Sequence, residues 1–281
     1  MSLNIGEAFA EGLARLTAVI VVAFVLVALA SALFTQTLQV EGLEALLEVV
    51  RGSSPAELDV SRAEYDRQVA TLERQLETTR GNSPLAVEMP ASVAAAGLFA
   101  VALFAEGVSI VAVRAFATDE PDEVSLAGTT DRLGVATANG FVGGVVVGVL
   151  IVAGSILLLV PGLFAAVVFY FLRQEIALED RNFLDALGAS WRLTKGHRLN
   201  VFALGLLVVV LTQLATVAGL LVGQVSAIAA SLVGAVLGGV LAAFGTAVVT
   251  QAYLQLTDAV ESDDEPADPY DAALGPDDIP E

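Results

Sequence analysis

The chain of 281 residues has no cysteine, a single histidine, a single lysine and a single tryptophan. Without cysteine there are no disulfides, thiolate nucleophiles, thiolate metal sites or cysteine-linked lipid anchors. His197 alone excludes a multi-histidine metal cluster. No Ser/His/Asp set and no glycine-rich phosphate loop in a strand–helix context is legible, so neither an enzyme nor a metal or cofactor is expected. Charge is scarce as well: 16% of residues are charged, against about 25% in soluble domains.

Apolar residues take the place of the missing charge. They make up 56% of the chain, and the mean hydropathy is +0.76. This composition points to the bilayer, where a helix needs about 20 residues to cross a ~30 Å hydrocarbon core. The formal charge of −19 collects outside the apolar runs: after the first of them, around 119–131, and from Asp258 onward. Acidic exposed segments with Lys195 as the only lysine resemble the proteins of extreme halophiles, and the resemblance implies an archaeal source. Clustered Lys/Arg is what phosphate binding requires, so nucleic acid is not an expected partner.

The apolar runs divide into six spans. Residues 16–34 form the first; Glu7, Glu11 and Arg15 before it lack the basic start of a signal peptide, so cleavage after Ala30-Ser31-Ala32 is not expected. Residues 92–113 form the second, with Glu106 inside it. Residues 134–172 carry no charge over 39 positions, which is nearly 60 Å of helix, about twice the core thickness. Pro161-Gly162 is the expected turn between a third and a fourth span. Residues 199–257 divide in the same way near Gly223–Ser226 into a fifth and a sixth. The expected fold is therefore an all-α polytopic bundle over 1–257, followed by an acidic, disordered tail over 258–281.

Residues 36–90 are the one long polar insertion. Val40, Leu43, Leu46, Leu47 and Val50 recur at helical spacing, and Tyr65, Val69, Leu72 and Leu76 form a second stripe. Ser54-Pro55-Ala56-Glu57 and Ser61-Arg62-Ala63-Glu64 both read as capping boxes. A helical hairpin on the extracytoplasmic side is expected there, and it or the acidic tail is available to a protein partner. Arg15, Arg114, Arg132, Arg173, Arg181, Arg192, Lys195 and Arg198 fall on the side of the termini. That bias places both termini in the cytoplasm and the protein in the cell membrane.

Intramembrane charge is the sharpest functional signal, because an isolated charge at mid-bilayer costs at least ~2.5–3.5 kcal/mol. Glu106, Arg173 and Glu175 are the candidates, and Arg173 is expected to approach Glu106. Asn139, Gln213, Gln224, Gln251, Thr212, Thr216 and Thr250 read as hydrogen-bond glue between helices. Gly140, Gly144 and Gly148, and likewise Gly234 and Gly238, repeat every fourth residue and are expected to bring helices together within the chain; a homo-oligomer is the alternative. Residues 180–197 read as an interfacial helix capped by Asn182 and ended by Gly196. Trp191, Arg192, Lys195 and Arg198 would lie at its lipid headgroup edge, and membrane lipid is the expected partner.

Pro161-Gly162, Arg173, Glu179 and the run Ala186-Leu187-Gly188-Ala189-Ser190-Trp191-Arg192-Leu193-Thr194-Lys195-Gly196 resemble a pattern in a broad group of multi-pass proteins. That group includes the membrane domain attached to some glycerophosphodiester phosphodiesterases and stand-alone relatives in bacteria and haloarchaea. The resemblance is specific over about 160–200. No hydrolase domain accompanies it here, so it implies architecture: a structural, accessory or lipid-organising membrane protein. A small-solute or lipid transporter using Glu106 and Arg173 is the alternative.

Overall fold

The computed structural model describes residues 3–118 and 130–264. Among them every regular element is a helix. Helix α1 (Ile5–Ala14) starts where the Asn4 side chain accepts from the Glu7 backbone N–H, with Glu7 favourably placed at the positive helix end. Its inner face lies on the last helix, α10 (Ala227–Asp264): Ala8 is fully buried and Phe9 meets Phe244 edge-on at 5.3 Å. Gly12 makes the closest approach, since a Cβ there would sit 2.9 Å from the Val248 backbone nitrogen.

Helix α2 (Ala18–Gly52) is one uninterrupted rod of 35 residues, about 52 Å long. The expected first span and the first arm of the insertion are therefore the same helix, because no proline intervenes to stop it. Helix α3 (Arg62–Asn82) folds back on it, burying Leu76 against Val40 and Leu47. The Ser54–Glu57 box closes reciprocally, but around a turn and not at a helix start. Its hydrogen bonds from Ser54 hold the Glu57 carboxyl below the ordinary carboxylate range. The chain returns to the bundle by pinning Leu85 N–H to Gln36 Oε1 and Val87 N–H to the buried Thr37 hydroxyl.

Helix α4 (Ala91–Phe116) packs on α2 and α10, with Phe24, Ala112, Phe116, Ala243 and Ala247 forming a common core. Helix α5 (Leu133–Leu157) and α6 (Leu159–Val168) form a tight hairpin. The turn falls at Leu158, whose backbone is extended, three residues before the expected Pro161. Pro161 instead occupies the first turn of α6, where its missing N–H has no helical partner to lose. The hairpin is close because a Cβ on Gly154 would sit 2.7 Å from the Gly162 backbone nitrogen. After a break at Phe169–Phe171 come α7 (Leu172–Leu178) and α8 (Phe183–Leu193), then α9 (Arg198–Gly223).

Among the described residues six helical segments are long and apolar enough to cross a membrane: Ala18–Gly52, Ala91–Phe116, Leu133–Leu157, Leu159–Leu178, Arg198–Gly223 and Ala227–Val260. Their outward surfaces carry large apolar side chains, with Ile156, Leu157, Leu158, Leu159 and Val160 each 69–81% exposed. A soluble protein does not sustain such a surface; lipid does. The last helix continues past Asp258 to Asp264, so the boundary drawn at 258 falls inside a helix. The acidic loop expected at 119–131 lies almost wholly outside the described residues, as does the tail beyond 264.

Candidate functional site

Glu106 projects from α4 one turn before Ile110 and is almost fully buried. Arg173, the second residue of α7, meets it with a two-point contact: Nε donates to Oε1 at 2.9 Å and Nη2 donates to Oε2 at 2.8 Å. Such fork-to-fork pairing fixes both side chains and neutralises both charges. The seat is completed by α5: a Cβ on Gly140 would lie 2.5 Å from Glu106 Oε1, so any larger residue there would make the carboxylate shift.

Gly140 therefore acts on a side chain and not on a neighbouring backbone. The other glycines of the expected rows, Gly144, Gly148, Gly234 and Gly238, have nothing within 4 Å of a would-be Cβ. Backbone approach falls instead on Gly12, Gly154, Gly162 and Gly239, the last against Val25 of α2. Periodicity finds a small-residue face; it does not tell which rung meets a neighbour.

Glu175 does not join the pair. It is buried in the first turn of α7 and its Oε2 lies 2.9 Å from Arg181 Nη1. Arg114, which the sequence reading used only for orientation, is the better-connected cation. Its Nε donates to the Ala177 carbonyl at 2.7 Å, Nη1 to the Asp131 carbonyl at 2.5 Å and Nη2 to Asp180 Oδ1 at 2.9 Å. One side chain thus joins the approach to α5 with the carbonyl end of α7, the end of a helix that favours positive charge.

The motif around Ala186–Gly196 has a local structural purpose. Breaking the helix at Phe169–Phe171 frees backbone groups that an apolar setting leaves expensive. Ser190 Oγ serves two of them, donating to the Val168 carbonyl at 3.0 Å and accepting from Phe171 N–H at 3.2 Å. Thr194 Oγ1 donates to the Ser190 carbonyl at 3.0 Å. Asn182 caps α8 through Leu184 and Asp185 N–H, Asn139 of α5 accepts from Phe183 N–H, and Gly196 supplies a φ of +94°. Gln251 joins α10 to α4 by donating to the Phe116 carbonyl at 2.7 Å. Thr212 and Thr250 donate to carbonyls of their own helices, and Gln213, Thr216 and Gln224 are exposed.

At the α8–α9 corner the expected headgroup residues divide. The Arg198 guanidinium lies 4.9 Å over the Phe164 ring and 5.2 Å over Trp191, held by the two faces. Arg192 and Lys195 are exposed. Beside them Leu184, Trp191 and Leu199 are 65%, 41% and 82% exposed.

Two cavities matter. An apolar groove of about 690 Å³ runs between α2, α4 and α5, past Ile20, Phe104 and Leu133. A smaller one of about 220 Å³ lies between α7, α9 and α10, with Arg173 in its wall. Among the described residues no group of three His, Asp or Glu is arranged to hold a metal ion.

A multi-pass α-helical membrane protein with an internally compensated ion pair is thus the class that fold and site define. More narrowly, the chain belongs to the DUF7847 family, a domain of unknown function whose family model matches residues 3–256. No curated protein and no solved structure matches it.

Proposed function

We propose that the protein is a non-catalytic, lipid-organising component of the cell membrane, with both termini on the cytoplasmic side. The observation that carries this reading is the α8–α9 corner. There the exposed surface divides between large apolar groups, Leu184, Trp191 and Leu199, and the basic groups Arg192 and Lys195. That division suits the boundary between acyl chains and anionic headgroups. Each basic residue near an anionic surface contributes about 1 kcal/mol, so Arg192 and Lys195 together correspond to roughly thirtyfold in lipid preference. Lipid retained by the purified protein tests this. Wild type is expected to carry anionic over zwitterionic lipid, and Arg192→Gln/Lys195→Gln to lose most of that preference. An unchanged lipid profile in the folded double variant refutes the reading.

A second reading, passage of a small solute beside Glu106 and Arg173, has the 220 Å³ cavity in its favour. Saturable flux in liposomes, abolished by Arg173→Gln, would establish it over the first.

A further inference from the structure

The 220 Å³ cavity is walled by Tyr170 of the helix break, Arg173 and Gln174 at the start of α7, Val208 and Thr212 of α9, and a strip of α10 that includes Gly245 and Thr246. Its polar lining is left incomplete by the protein. Gln174 is 3% exposed, and its Oε1 is buried without a hydrogen-bond partner. Leaving such an oxygen unsatisfied costs about as much as a hydrogen bond returns, so a partner is called for. Arg173 spends Nε and Nη2 on Glu106, and among the described residues Nη1 carries no hydrogen bond. Thr212 and Thr246 donate their hydroxyl hydrogens to the Val209 and Ala242 carbonyls, which leaves both oxygens as acceptors.

The wall therefore offers at least three acceptor oxygens and, as donors, an arginine N–H group, the Gln174 amide and the Tyr170 hydroxyl. Its one charge, on Arg173, is already matched by Glu106. A cation entering the cavity would meet Arg173. An anion would face the three acceptor oxygens and compete with Glu106. A neutral group rich in hydroxyls suits every position, because each hydroxyl both donates and accepts. The volume equals about seven waters at ~30 Å³ each, enough for a glycerol-sized molecule.

We propose that this cavity binds an uncharged polyhydroxyl group of glycerol size, either free in solution or as the terminal diol of a lipid headgroup. The site does not rest on the lipid preference of the α8–α9 corner, and either can fail without the other.

Thermal unfolding of the full-length protein in detergent, titrated with glycerol, tests the free source. Wild type is expected to show a saturable rise in midpoint at millimolar glycerol, above the linear rise that any protein shows at molar concentrations. Gln174→Leu and Thr212→Val are expected to keep the linear part and lose the saturable one. Gln174→Leu, which removes the orphan oxygen, is also expected to unfold at a higher temperature than wild type without glycerol, so loss of response is not loss of fold. Native mass spectrometry after reconstitution in phosphatidylglycerol or phosphatidylserine nanodiscs tests the lipid source, since the two headgroups share a net charge and only the first ends in a diol. Selective retention of phosphatidylglycerol by wild type, lost in both variants, assigns the site to the headgroup. Identical behaviour of wild type and both variants in both experiments overturns the proposal and leaves a cavity that holds water only.

Discussion

Removing one partner of the Glu106–Arg173 pair strands the other, and the two losses are unequal. Glu106→Gln leaves Arg173 without its countercharge. A lone charge in the membrane costs at least ~2.5–3.5 kcal/mol, but Arg173 is 43% exposed and borders a cavity with Gln174, Thr212 and Thr246 in its wall, so about 2 kcal/mol is expected. Arg173→Gln strands Glu106, whose side chain is only 10% exposed, and about 3 kcal/mol is expected, the lower end of the cost of breaking a buried pair. In the double variant two amides replace two charges and can bond each other, for a loss of about 2 kcal/mol. The singles then sum to about 5 kcal/mol against about 2 for the double, a coupling of roughly 3 kcal/mol. Equilibrium unfolding in mixed dodecyl maltoside and dodecyl sulfate micelles reads this directly, and Trp191, the only tryptophan, supplies the signal. Additive single-variant losses would show that the pair contributes nothing as a pair, and the argument from mutual neutralisation would fall.

Three further outcomes are expected. Gly154→Ala, whose Cβ meets the Gly162 backbone, is expected to lower stability by about 1–3 kcal/mol, whereas Gly144→Ala, with open space around it, is expected to be neutral or slightly stabilising; equal effects in the same unfolding assay would contradict the packing described. Ser190→Ala leaves the Val168 carbonyl and Phe171 N–H short of a partner and is expected to cost about 1–3 kcal/mol, with faster amide exchange at Phe171 as its local signature. The Glu57 carboxyl is held below its ordinary value, so its contribution is fully present above the unfolded-state value and is lost as pH falls through the folded one. Protection of the Ser54 amide should stay constant from neutral pH down into the ordinary carboxylate range and fail only below it; failure at higher pH would mean that Glu57 does not hold the turn.

The membrane spans are legible in sequence because charge is so rare here that its gaps mark the spans directly. Glu106 stands out for the same reason, as a lone charge in an apolar run, and Arg173 as the first charge after one, and the structure places them 2.8 Å apart. The Asn182 cap and the Gly223–Ser226 break are also legible, since each depends on local chemistry. What escapes the sequence depends on partners remote in the chain. Gly140 follows a packing period, yet its neighbour is a carboxylate on another helix. Ser190 looks like any small residue on a helix face until the break at Phe169–Phe171 is set beside it. Arg114 reads as a boundary marker until Asp131 and Ala177 converge on it. Helix α1 is missed because its apolar face is only two turns long and its partner lies more than 230 residues away in sequence, at Val248.

Helix α2 carries a mechanical consequence. At about 52 Å it exceeds a ~30 Å hydrocarbon core by roughly 20 Å. The excess is stiffened by α3, while the buried part is wedged against Gly239 through Val25. A rod clamped near one end and braced at the other is a lever. Any sideways push on the α2–α3 hairpin is delivered, without a joint to absorb it, to a close backbone contact between α2 and α10.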